Sequence, residues 1–247
     1  MRRLEGRTAL VTGAAGGLGR AFCDALARGG AAVAGVDIAA LDGARETVAR
    51  AGGDFHALRA DVRDPEAMRA VCDEAASVLG GLHIVVANAG RYPSQPFDEI
   101  TLEQWREVMA LNLDGTFLTV QSALPHLRAA GWGRIVVLSS STVWLGVPTL
   151  VAYVTSKAGL IGFTRALAAE LADTGITVNA ITPGLTETDT ARHSWVGEQF
   201  DWVVSNQVVK RRQQPEDLAS TLLYLCDAGS DFITGQTINV DGGMAKH

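Results

Sequence analysis

Seven short apolar runs, separated by longer stretches of helical spacing, constrain this chain more than any other feature of it. The runs are TALVT (8–12), AVAGVD (32–37), FHALRAD (55–61), HIVVAN (83–88), RIVVLSS (134–140), ITVNAI (176–181) and QTINVD (236–241). Between them, residues 18–28, 65–79, 102–128 and 151–172 place Ala and Leu at helical intervals. Asp64 stands as an N-cap before Pro65, which suits a first helical turn. Strand, helix, strand repeated in this way implies a parallel sheet with helices on both faces, because each crossover must return the chain to the same end. The runs are apolar throughout rather than alternating, as strands covered on both sides should be. The expectation is an α/β fold, a single doubly wound domain over 1–247 with a seven-stranded parallel sheet. Residues 185–214 depart from the rhythm. They are longer than an ordinary strand-to-helix connection and carry Trp195, Phe200 and Trp202, which reads as a lid over a binding site.

Composition removes several functions. With 247 residues, 47% of them hydrophobic, the chain can bury a sizeable core. A formal charge of -6 leaves no basic excess to attract phosphate backbones or anionic lipid, so neither nucleic acid nor membrane is an expected partner. Cys23, Cys72 and Cys226 are odd in number and far apart, with neither CxxC nor metal-ligand spacing. They read as reduced core thiols, which points to the cytoplasm and to no metal site. The N-terminus has no apolar run of signal-peptide length.

In such sheets ligands sit at the carboxyl ends of the strands, where strand order reverses. The first run leads into TGAAGGLG, with Gly13, Gly17 and Gly19 spaced GxxxGxG and Leu18 between the last two. Glycine there lets backbone approach a pyrophosphate and leaves a helix N-terminus facing the negative charge. The second run ends at Asp37, whose carboxylate can accept hydrogen bonds from a ribose diol and would repel a 2'-phosphate. No Lys or Arg precedes Arg20 in the loop. The cofactor expected is therefore NAD(H).

A third signal is AYVTSKAG, in which Tyr153 and Lys157 share a helix face at i and i+4. An ammonium roughly 5 Å from a phenolic oxygen favours phenolate by about 3 kcal/mol at an effective dielectric near 20. The expectation is a phenol drawn down toward neutrality, able to give and take a proton.

Taken in order, these motifs resemble the short-chain dehydrogenase/reductase family, whose fold is Rossmann-type, and the resemblance covers essentially the whole chain. It adds Asp61 and Val62 in ADV as adenine contacts, and Asn88, Ala89 and Gly90 in ANAG. Ala87 stands where the family more often has a first asparagine. The turn PGLTET, with Pro183, Gly184, Thr186 and Thr188, resembles the nicotinamide-binding turn. The resemblance implies a catalytic set of Asn112, Ser140, Tyr153 and Lys157, with Lys157 also on the nicotinamide ribose and Asn112 holding a water in a proton relay. Ser140, near the end of the fifth run, would donate a hydrogen bond to the substrate oxygen as it gains charge. Strand alternation would turn Ser139 and Ser141 away. In ketone reduction hydride moves to the carbonyl carbon while Tyr153 protonates the oxygen; oxidation reverses each step.

For the substrate, the candidate pocket residues are Tyr92 and Pro93, Trp144 and Leu145, Thr190, and Trp195, Phe200 and Trp202, with Thr186 at the rim. So many aromatics suggest a flat apolar ketone or the matching secondary alcohol. YPSQPFDEITLEQW, WGRIVVLSSSTVWLG and FITGQTINVDGGMAKH look like stretches of 1-phenylethanol and pyridoxal 4-dehydrogenases in the same family. The alternatives are a 3-oxoacyl-[acyl-carrier-protein] reductase and a non-catalytic NAD-binding sensor. Against the first, Gly131 and Thr174 stand where basic residues would meet an acidic carrier, and the run Lys210 to Arg212 reads as a solvated face. The resemblance also implies a homotetramer, assembled through helices 102–128 and 151–172 and the C-terminal segment.

Overall fold

The central strand β1 (Thr8–Thr12) is buried along its whole length and sends its side chains to two different cores. Leu10 points to one face of the sheet, Ala9 and Val11 to the other, as the two-residue period of a strand requires. The computed structural model describes residues 3–246, so Met1, Arg2 and His247 of the expected 1–247 domain lie outside the described residues.

After β1 the chain runs through α1 (Gly17–Arg28), β2 (Ala32–Asp37), α2 (Asp42–Arg50), β3 (Phe55–Arg59), α3 (Pro65–Leu79) and β4 (Ile84–Ala87). Next come α4 (Leu102–Met109), a π turn (Ala110–Asp114), α5 (Gly115–Ala130), β5 (Gly133–Leu138), α6 (Thr142–Leu145), α7 (Val151–Glu170) and β6 (Ile176–Pro183). The chain closes with α8 (Asp189–Arg192), α9 (Phe200–Asn206), α10 (Pro215–Cys226) and β7 (Thr237–Val240). The seven strands form one sheet in the order β3-β2-β1-β4-β5-β6-β7, every neighbour parallel. It is a single Rossmann-type α/β domain. The chain winds outward from β1 to β3, then returns to β4 on the other side of β1, and this reversal opens a crevice at the strand ends.

Residues of α3, α5 and α7, among them Met68, Leu127 and Leu160, pack on one face of the sheet. Those of α1, α2 and α10, among them Phe22, Val48 and Leu222, pack on the other. Both faces are covered, which is why the strands carry no polar alternation. The cap expected at Asp64 forms: its Oδ1 accepts from the N–H groups of Glu66 and Ala67 at 2.9 and 3.1 Å. All three cysteines are buried and free.

The continuous helix expected over 102–128 is interrupted. At the π turn the Gly115 N–H reaches the Ala110 carbonyl, one residue further back than in an α-helix, and the inserted residue leaves Asn112 fully buried. The expected strand 134–140 ends at Leu138, because the Ser140 carbonyl turns to accept from Val143 N–H at 3.2 Å. Strand 55–61 likewise stops at Arg59, while 176–181 extends to Pro183. Residues 185–214 form α8, a 3-10 turn (Trp195–Gln199) and α9 around a small core of Ala191, Val196 and Phe200. Helices α2 and α10 lie outside the stretches picked out by helical spacing; α2 buries only Ala44 and Val48. No described helix is long and apolar enough to cross a membrane.

Candidate active site

The crevice is floored by the turn between β1 and α1. Gly19 faces the Gly13 carbonyl so closely that a Cβ there would stand 2.1 Å from its oxygen. Helix α1 begins with no side-chain cap and no acidic residue in its first turn, so its leading N–H groups can face an anion. Asp37, at the end of β2, accepts from Ala15 N–H at 3.0 Å through Oδ2 and from Ala39 N–H at 2.9 Å through Oδ1. Its carboxylate thus straps the glycine turn to the neighbouring strand while still bordering the crevice. Asn88 straps the other side: Nδ2 donates to the carbonyls of Thr12 and Gly13 at 2.9 and 3.2 Å. Ala87 in place of a first asparagine therefore leaves this strap intact. Asp61 pairs with Arg63 at 2.6 Å, and that guanidinium holds its carboxyl below the usual carboxylate range. A tight glycine turn, an uncapped helix start and a carboxylate at the second strand fit a dinucleotide.

At the other end of the crevice β5, the π turn and α7 converge on Gly90. A Cβ on Gly90 would lie 3.0 Å from Asn112 Oδ1 and 3.3 Å from Lys157 Nζ, so the turn after β4 passes between them with little room for a side chain. The Asn112 side chain makes three hydrogen bonds: Oδ1 accepts from Arg91 N–H at 2.9 Å, and Nδ2 donates to the Arg91 carbonyl and to Ser156 Oγ, both at 3.0 Å. Its side chain holds the ANAG turn against α7. Ser156, a small residue next to the lysine, carries no signal of its own in the sequence.

Ser140 Oγ accepts from the N–H and the hydroxyl of Thr142 at 3.2 and 2.9 Å. Those contacts leave its own proton free to be directed into the cavity that Tyr153 also lines. Ser139 turns the opposite way and donates to the Lys157 carbonyl at 2.8 Å, as alternation predicts. The Tyr153 ring meets Tyr92 edge-on at 6.1 Å.

The electrostatics differ from the expectation. Lys157 Nζ donates to the Leu138 carbonyl at 2.7 Å and stands 5.9 Å from the Tyr153 ring centre. Desolvation outweighs attraction between the two groups: burial pushes the phenol up to about 12 despite the Ser140 hydrogen bond, and pushes the ammonium down to about 8.

Every residue assigned above to the cofactor lines one cavity of about 550 Å³, from Gly13 through Asp37, Asp61, Asn88 and Lys157 to Thr188. Ser140 lines it too, whereas Asn112 lies behind its wall. Of the substrate candidates, Tyr92, Thr190 and Trp195 line the cavity, and the Trp195 indole N–H donates to the Tyr92 carbonyl at 3.4 Å. The others do not. Phe200 is consumed by the small core of 185–214, Trp202 is 57% exposed on α9, and Leu145 is 38% exposed on α6. Trp144 lies off the cavity, and Pro93 lines a separate, smaller one. Leu150, Leu185, Val196 and Arg91 line the cavity without having been singled out. Arg91 follows ANAG directly; the aliphatic three look like ordinary core residues in the sequence. Among the described residues no group of three or more His, Cys, Asp or Glu is placed to hold a metal.

A family model described as Enoyl-(Acyl carrier protein) reductase matches residues 13–245. The chain is 39% identical over 245 residues to "Probable galactose dehydrogenase GalD" of Rhizobium meliloti (strain 1021), covering 98% of this chain and 96% of that one. It is 36% identical over 249 residues to the 3-oxoacyl-[acyl-carrier-protein] reductase FabG of Aquifex aeolicus (strain VF5), covering 98% of each. Among solved structures, a short-chain type dehydrogenase/reductase from Mycobacterium marinum aligns with a TM-score of 0.92 at 31% identity, over 98% of this chain and 97% of that one. A short chain dehydrogenase from Mycobacterium paratuberculosis bound to NAD aligns with a TM-score of 0.89 at 34% identity, over 98% of both chains. Identity at this level along nearly the whole length leaves one conclusion: the chain is an enzyme of the short-chain dehydrogenase/reductase family of oxidoreductases.

Proposed function

We propose that the protein exchanges hydride between NAD(H) and a secondary alcohol or ketone bearing a flat, apolar substituent. The observation that carries this reading is a single cavity with Asp37 at one end and Ser140, Tyr153 and Lys157 at the other. NADH, when bound, supplies the hydride. Asp37 presents a carboxylate where a ribose diol can donate to it and a 2'-phosphate would meet like charge. The NAD-bound state of one structural relative supports the same choice.

Ser140 and Tyr153 together receive the substrate oxygen. Ser140, held by Thr142, donates to that oxygen as charge builds. Tyr153, whose proton is held up to about pH 12, stands loaded as the acid for reduction and passes its proton to the developing alkoxide. Lys157 retains its charge below about pH 8 and so stabilises the phenolate left behind. The Asn112 side chain binds Arg91 and Ser156, so we assign it the task of fixing the turn that carries Gly90, while the second lone pair of Oδ1 leaves a place for a relay water.

Tyr92 and Trp195 support the flat apolar substrate, reduced from the wider aromatic set to two cavity-lining rings with Leu150, Leu185 and Val196. The relatives compared are named for a sugar and for a carrier-bound 3-oxoacyl group, so both belong in the test. The carrier reading is the weaker, because the Gly131 carbonyl lies against Gly175 and neither Gly131 nor Thr174 in that corner is basic. Buried free thiols fit work in a reducing compartment such as the cytoplasm.

Initial rates with acetophenone, acetoacetyl thioester and galactose, each with NAD(H) and NADP(H), test the reading. Turnover of acetophenone with NADH supports it. Activity restricted to the thioester with NADPH, or to the sugar, would overturn the substrate assignment.

A further inference from the structure

A cluster of charged residues away from the reacting groups sits at the neck of residues 185–214. The two arms of the neck pair with each other: Glu187 N–H donates to the Gln213 carbonyl at 2.7 Å, and the Gln213 side chain links Thr186 Oγ1 to the Val240 carbonyl of β7 at 3.1 and 2.7 Å. Beside this pairing the Glu187 carboxylate, only 15% exposed, accepts from Arg212 Nη1 and Gln214 Nε2, both at 2.8 Å, with Arg192 Nε at 3.4 Å. Arg212 then reaches onward. Its Nη2 donates to Asp201 Oδ1 at 2.9 Å, and its guanidinium carbon stands 5.0 Å above the Phe200 ring.

Phe200 is the centre of the core formed with Ala191 and Val196, against which Tyr92 and Leu185 pack. All four of those neighbours also face the cavity. A single guanidinium therefore ties the turn carrying Thr186 and Thr188 to the back of the wall that meets the substrate. Only a planar fork can serve acceptors in two directions and lie on a ring at once; a lysine ammonium is a point charge on a flexible stem. The Lys210 to Arg212 run is accordingly more than a solvated face.

We infer that Arg212 is a positioning residue, which clasps the wall at 191–196 in place and so sets the affinity for the ketone rather than the rate of hydride transfer. The inference rests on the alcohol/ketone reading of the cavity. A preformed wall spares the substrate the cost of ordering it, which shows in KM more than in kcat.

The test compares the full chain with Arg212→Ala and Arg212→Lys in the presence of saturating NADH. Amide hydrogen exchange over 189–206 is expected to speed up about tenfold or more in Arg212→Ala and less in Arg212→Lys, with β5 and α7 unchanged. The KM for acetophenone is expected to rise about tenfold with kcat within about threefold. Unchanged exchange at 189–206, acceleration throughout the domain, or a loss confined to kcat would overturn the clasp. A parent that turns over no ketone or alcohol would instead defeat the functional reading, and the exchange pattern would still decide the clasp.

Discussion

Lys157 carries a cost that its task explains. Its ammonium is nearly inaccessible to water, satisfied by one carbonyl, and titrates near 8 rather than at the ordinary lysine value. A basic group whose folded pKa is depressed destabilises the fold wherever it is charged, and that penalty disappears as pH rises from about 8 toward the unfolded value of 10.5. Lys157→Met should therefore abolish turnover yet raise stability at pH 7 by about 1–3 kcal/mol, measured by urea unfolding. Reduced stability would mean that the Leu138 contact outweighs the desolvation. In the parent, ketone reduction should fall as pH rises through about 8 and Lys157 loses its proton, whereas a profile flat to pH 9.5 would remove the lysine from the proton step. Beside the cofactor role proposed for it, Asp37 fastens Ala15 and Ala39. Asp37→Ala should narrow the NADH over NADPH preference at least tenfold and cost about 1–2 kcal/mol of stability. An unchanged cofactor ratio would show that the carboxylate serves only the glycine turn.

Elements whose side chains repeat a pattern were legible in the sequence; those defined by a local exception were not. The strands announced themselves because both faces are covered, and α3 because Asp64 and Pro65 mark its start. The π turn left no trace in the pattern of apolar residues, since one extra residue shifts the helical phase without changing composition. Its consequence is local: Asn112 is swung inward to bind Arg91 and Ser156. Asn112→Ala would leave the Arg91 backbone groups without their side-chain partner in a part-buried turn, and should destabilise the domain by about 1–2 kcal/mol while loosening the Gly90 turn. Loss of activity without any change in unfolding midpoint would return the residue to the proton relay. The aromatics of 185–214 were read as one set because sequence shows residue type but not direction. Trp195 faces the cavity, Phe200 the small core behind it and Trp202 the solvent. Burial of Phe200 and the charges at its rim come from contacts far apart in the chain, such as Glu187 with Arg212.

At the scale of the molecule, the sheet reversal between β1 and β4 sets two different chemistries at opposite ends of one crevice. The core that spans both ends of the crevice fixes the distance between them. We propose that apolar side chains left open on α4, α5 and α7, including Leu102, Phe117 and Val151, are covered in the homotetramer that the family resemblance implies. Light scattering at micromolar concentration should give about four times the 26.0 kDa chain mass, and a monomeric mass would contradict it. The most direct test of the whole account is NADH consumption with acetophenone by the parent and by Tyr153→Phe, which removes one hydroxyl from the cavity. The account predicts a rate at least about 100-fold lower in the variant with cofactor affinity retained, and a variant within twofold of the parent would contradict it.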